Sequence, residues 1–215
     1  MLEYKIFTKG LKIKKIFFIC MLVFNGWILA DSPLTSTDIH LGYEYDNDIK
    51  KALKEGNLTD EWKDYLISSE NYFGIKIAVI NAIGYENINS KEFFTYLLKK
   101  EGYKSFNDFL DNADGQMLII AAYLIALENY SNDKILIKAL NIAKKGKKKL
   151  PKSYTANIIY ALIKAQKELK GDWCEVYRVV DNVRNDKSLE QDMSGGAISM
   201  ISYDVKLYAD SCHVD

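Results

Sequence analysis

Apolar residues recur along most of this chain at intervals of three and four, the spacing of one face of an α-helix, and strict strand-like alternation is rare. The opening Asp31-Ser32-Pro33-Leu34-Thr35-Ser36-Thr37 predicts an extended lead-in, with Ser36 or Thr37 placed to cap a first helix. A short helix over 48–54 stops at Gly56-Asn57, and Thr59 can cap the next, whose apolar side is Trp62, Tyr65 and Leu66. Helices follow over about 72–83 and 90–100, closed by Gly84 and Gly102, then a short one carrying Phe106, Phe109, Leu110 and Ala113. Residues 117–127 (MLIIAAYLIAL) are apolar without interruption. A helix apolar on every side must be buried on every side, so this segment is expected at the centre of the fold.

Beyond it, Asn132 or Asp133 caps a helix whose stripe is Ile135, Leu136, Ala139, Leu140 and Ala143, with Gly146 as its expected end. Ser153 starts another that runs to about 170. Asp172 caps one with Trp173, Val176, Tyr177, Val180 and Val183 on a single face. In the last segment, 194–212, Ala197, Ile201, Val205, Tyr208 and Cys212 suit a helix, while 203–207 alternates like a strand. The fold class is all-α: stacked antiparallel helical hairpins or an irregular helical bundle.

Three of these stretches repeat one plan, an apolar Ala-rich helix, a short turn and an amphipathic helix, over about 72–101, 114–146 and 153–187. The turn Glu86-Asn87-Ile88-Asn89 and the turn Glu128-Asn129-Tyr130-Ser131 stand 42 residues apart. In spacing and hydrophobic pattern the chain resembles HEAT-like helical-hairpin repeats. The resemblance implies a short α-solenoid of about three pairs, with 194–212 as a final element, whose face binds a protein, peptide or polymer. The lead-in behind its leader also resembles small exported proteins of unknown function, which brings no activity with it.

The first thirty residues read differently. Lys5, Lys9, Lys12, Lys14 and Lys15 precede the apolar run 16–24, and Ala30 stands before the polar start at Asp31. That order is a secretory signal peptide cut after Ala30, leaving 31–215 as one all-α domain that is periplasmic or extracellular. The apolar stretch is shorter than the roughly 20 residues a spanning helix needs, so no stable membrane span is expected after cleavage. Removing five lysines and one acid from the 29 of each sign leaves 24 basic against 28 acidic residues, a net charge of −4. With only Arg178 and Arg184 as arginines, nothing in this balance points to nucleic acid.

Catalytic chemistry is thinly represented. His40 and His213 are the two histidines, near opposite ends, and no HExxH, GxSxG, phosphate-binding loop or paired CxxC is found. His40 is expected to have a surface or capping role. The run Asp111-Asn112-Ala113-Asp114-Gly115 fails as a calcium loop because Leu110 and Ala121 fall on ligand positions, and no cofactor is expected. Lys144, Lys145, Lys147, Lys148 and Lys149 form the densest charge run. They are a candidate anion patch for acidic polymer or lipid headgroups, or lysines complementing a helix C-terminus. Cys174 opens one helix and Cys212 ends the next, so antiparallel packing brings them together as a disulfide. The function expected is non-catalytic binding or scaffolding. The alternatives are a carboxylate-dependent hydrolase of cell-wall or polysaccharide material, and a helical carrier of an apolar ligand.

Overall fold

The computed structural model describes residues 32–212; the leader over 1–30 and His213 lie outside them. Among the described residues there are ten α-helices and no strand: α1 Asn47–Glu55, α2 Asp60–Ile67, α3 Phe73–Ile83, α4 Ser90–Glu101, α5 Phe106–Asn112, α6 Gly115–Glu128, α7 Asp133–Lys149, α8 Tyr154–Glu168, α9 Trp173–Asn185 and α10 Gly195–Lys206. Short 3₁₀ turns at Ile39–Tyr43, Tyr85–Asn87 and Ala209–Ser211 complete them.

The helix starts are written in the sequence. Asp46, Thr59, Asn89, Ser105, Asp114, Asn132, Ser153, Asp172 and Ser194 each accept a backbone N–H of the first turn with their own side chain. Each such cap contributes about 1 kcal/mol. Only α3 begins without one, because its N-cap is Tyr72.

Packing sorts the helices by their hydrophobic pattern. In α6 every residue from Met117 to Leu127 is buried, and α3, α4, α7 and α8 pack around it. The first members of the three hairpins, α3, α6 and α8, are buried over most of their length and touch in sequence, α3 to α6 and α6 to α8. Their partners α4, α7 and α9 bury one stripe each. Each fully buried Leu or Ile contributes about 1.5–3 kcal/mol relative to its exposed state, which makes α6 the main apolar contribution. No helix of the described residues is long and apolar enough to cross a membrane.

Two local expectations need correction, and one open alternative is decided. Ser36 and Thr37 cap no helix: the first element is the 3₁₀ turn at Ile39–Tyr43, and Thr37 Oγ1 instead donates to the carbonyl of Pro33 at 2.9 Å. Gly146 does not end its helix, since α7 continues to Lys149 and Leu150 is the C-cap. A Cβ at Gly146 would lie 2.9 Å from both the Gly115 carbonyl and Ile119 Cγ1, so this glycine permits close approach of α6 and α7. The last segment is helical through Lys206, without strand character, because Ala197, Ile201 and Val205 are buried at helical spacing.

The two ends of the described chain meet. The 3₁₀ turn at Ile39–Tyr43 packs on both α3 and α10. Ser194 Oγ donates to the Gly42 carbonyl at 2.8 Å, and a Cβ on Gly42 would stand 2.0 Å from the Ala197 nitrogen. The bundle therefore closes on itself instead of leaving both ends free. At the far side of α10, the sulfurs of Cys174 and Cys212 lie 2.10 Å apart, with their Cα atoms at 4.6 Å.

Candidate functional site

Antiparallel hairpins place the starts of their first helices at one pole, and a cleft lies there. It has a volume of about 690 Å³ and is lined by residues from the starts of α3, α6 and α10 with their preceding loops. The polar contribution comes from Ser69, Glu70, Asn71, Gln116, Gln191 and Asp192, with Tyr43 and Tyr72 as aromatic walls. No lysine or arginine lines it.

Each wall is held from behind. Asn71 donates to the Tyr65 carbonyl at 2.9 Å, fixing the loop before α3. Gln191 and Asp192 belong to a loop pinned on α8: Tyr154 N–H donates to the Glu190 carbonyl at 3.0 Å, and Glu190 N–H to the Lys152 carbonyl at 2.7 Å. The Asp192 carboxylate accepts the Thr155 N–H at 2.7 Å and the Ser153 hydroxyl, so both of its oxygens serve the start of α8. Tyr43 accepts the Ser194 N–H at 2.9 Å, and burial pushes its phenol above the ordinary 10.0. It stays protonated at neutral pH. Gly74 forms the floor, where a Cβ would meet Tyr43 Oη at 2.4 Å and the Asp192 carbonyl at 2.8 Å. Tyr72 is 81 % exposed at the rim.

Chemically, the cleft offers amides, hydroxyls, one carboxylate engaged in capping, one exposed carboxylate at Glu70, and an aromatic face. This set matches a ligand dense in hydroxyls and carrying no negative charge.

The sequence-predicted site residues fall elsewhere. Lys144, Lys145, Lys147, Lys148 and Lys149 all lie in the last two turns of α7, and they point three ways. Lys145 pairs with Asp111 at 3.2 Å, and Lys149 donates to the carbonyls of Ala113 and Asp111 at the end of α5. The Lys147 ammonium lies 4.8 Å from the Tyr160 ring centroid. Lys144 and Lys148, one turn apart, are exposed. Three of the five thus tie α7 to its neighbours. Asp111 and Asp114 likewise serve structure, Asp114 Oδ1 accepting the Met117 N–H at 2.8 Å, and no cluster of metal ligands occurs among the described residues.

His40 holds the lead-in. Its backbone N–H (3.0 Å) and ring Nδ1 (2.8 Å) both meet Asn81 Oδ1, while Asn81 Nδ2 donates to the Thr37 carbonyl at 2.9 Å. With Oδ1 as acceptor, Nδ1 carries the hydrogen.

One buried cation stands apart. Lys76 of α3 is 2 % exposed and has no hydrogen-bond or ion-pair partner among the described residues. Burial lowers its pKa below the ordinary 10.5, with Asp114 only partly offsetting this. Between the lowered value and 10.5 the unfolded chain holds more protons than the folded one, so stability rises with pH across that window. Lys76→Met is expected to raise stability at pH 7 by about 1–3 kcal/mol and to flatten that slope, as read from urea unfolding between pH 7 and 10.

Sequence reasoning did not single out Glu70, Asn71, Gln191 and Asp192, which sit in unremarkable loops, or Gln116, in the first turn of α6. The available signal was positional: each immediately precedes or opens an inner helix or α10. The chain matches no protein-family model, no curated protein and no solved structure.

Proposed function

We propose that this is an exported helical binding protein whose polar cleft takes an uncharged or amine-bearing polysaccharide. The observation that carries the reading is the lining of that cleft: amides, hydroxyls and Glu70 around an exposed tyrosine, with no cation. Sugars present hydroxyl donors and acceptors that amide and carboxylate side chains can pair in plane, and C–H faces that stack on Tyr rings. An extended peptide that binds by strand addition would seek a sheet edge, and no strand occurs among the described residues. Of protein, peptide and polymer, the sugar polymer fits best.

The HEAT-like spacing supports the same reading. The hairpins α3–α4, α6–α7 and α8–α9 align their first helices, and closure of the lead-in onto α10 turns their shared pole into a cleft. Export is supported by the basic and apolar leader and by a cysteine pair at bonding distance, which suits an oxidising compartment.

The test is retention on a panel of immobilised polysaccharides, with intact-mass analysis of the exported chain. Saturable retention on at least one polymer is expected, weakened about tenfold by Tyr72→Ala and by Gln191→Ala. A mass beginning at Asp31 is expected for the exported form. Absence of retention across neutral and amino-sugar polymers would sink the reading.

A further inference from the structure

A second, chemically opposite surface lies away from the cleft. Helices α4 and α7 both pack on α6, and the seam between them stays open. It continues between α5 and α7, the two stretches sharing Phe106 and Lys138 and holding about 230 and 330 Å³. The walls are Phe94, Phe106, Leu110, Ile135, Ile137 and Ile142, with Ile137 46 % exposed. Around them stand Lys91, Lys134, Lys138 and Lys145, and no acid lines either stretch. Lys138 lies 4.7 Å from the Phe106 ring centroid, so its charge sits directly over the apolar wall. Only Lys145 is offset, by Asp111.

We propose that this groove receives an amphipathic α-helix with acidic flanks, contributed by a partner protein. Its apolar face would cover the seam while its Asp and Glu side chains meet the lysine rim. Charge complementarity carries the argument. A chain that is net negative from residue 31 onward concentrates cations around this apolar groove. Shape agrees: the wall of α7 from Lys134 to Lys145 runs about 16 Å, three helical turns, between two helices whose ridges can seat a third. Helix-in-groove recognition needs anchors at helical spacing and an open trough, both present here. The chain's own leader does not suit the site, since its five lysines would face the rim. This proposal is independent of the polysaccharide reading, because no residue is shared between groove and cleft.

The test uses the purified protein and a fluorescein-labelled synthetic Leu/Glu helix of about five turns, followed by anisotropy. The same helix with Lys for Glu, and dodecanoate, serve as comparison probes. The Leu/Glu helix is expected to bind saturably and to weaken as salt is raised. Its affinity should fall about tenfold in Ile137→Glu and in Lys134→Glu/Lys138→Glu, with the circular dichroism melt unchanged because these side chains are exposed. The Leu/Lys helix should not bind. Equal binding of both helices, or no loss in the variants, overturns the proposal. Dodecanoate binding without helix binding makes the groove a site for anionic amphiphiles instead. A dimer dispersed by Ile137→Glu would assign the groove to a second copy of this chain.

Discussion

Cys212→Ser lowers the free energy of unfolding by about 4 kcal/mol, the chain-entropy value for a cross-link spanning 38 residues. The bridge lies at the end of the described chain. After α10 ends at Lys206 the described chain makes one 3₁₀ turn, which packs on α9, with the buried Tyr208 ring edge-on to Trp173. Cross-linking Cys174 to Cys212 joins this end to the first turn of α9 and keeps α10 in place. Because α10 in turn covers the 3₁₀ turn at Ile39–Tyr43, the loss should be felt at both ends of the described chain. Urea unfolding provides the measurement. Wild type with dithiothreitol, Cys174→Ser and Cys212→Ser should share one lowered midpoint, and dithiothreitol should leave both variants unmoved. A wild-type midpoint indifferent to dithiothreitol would show that the cysteines are not bonded.

Gly42→Ala is expected to cost about 3 kcal/mol, the upper end of overpacking penalties. The added methyl would stand 2.0 Å from the Ala197 nitrogen and 2.6 Å from the Gly196 carbonyl carbon. Both are backbone atoms of α10, so no side-chain rotation can relieve the clash, and the seam must open. Gly171→Ala is the control. Its nearest neighbour would be the Glu168 carbonyl at 3.9 Å, an ordinary contact, and little change is expected. Gly196→Ala meets Gly42 Cα at 2.9 Å from the other side of the same seam. Combined with Gly42→Ala it should cost less than the two single losses together, since one displacement relieves both. If Gly42→Ala and Gly171→Ala melt alike, the closure of the bundle contributes little to stability. Opening this seam also moves Tyr43 and Ser194, so loss of polysaccharide retention should accompany the loss of stability.

The helices were legible because their signals are local. Ser153, Asp172 and Asp114 each sit directly before an apolar run, and a cap needs only the next three residues to act. The uninterrupted run 117–127 could be assigned to the centre because burial on all sides leaves no other place for it. The meeting of Cys174 with Cys212 followed from helix lengths once the two helices were taken as antiparallel neighbours. Gly146 was misread for the complementary reason. A glycine near lysines at a helix end looks like a cap, and only the approach of Gly115 on another helix shows why the small residue is there. The five lysines are adjacent in sequence, and because a helix turns successive residues about 100° apart, Lys145 and Lys149 reach the end of α5 while Lys147 reaches Tyr160.

The amino-acid sequence by itself therefore determined the all-helical class, nearly every helix start, the buried centre at α6 and the meeting of the two cysteines. Each depends on hydrophobic period, capping chemistry or chain length within a few tens of residues. The tertiary structure alone decided that the lead-in closes onto α10, that the starts of α3, α6 and α10 share one polar cleft, and that α4 and α5 leave an apolar seam against α7. Those features arise from residues as far apart as Tyr43 and Ser194, whose proximity is set by how whole helices pack, and no local pattern in the chain encodes it.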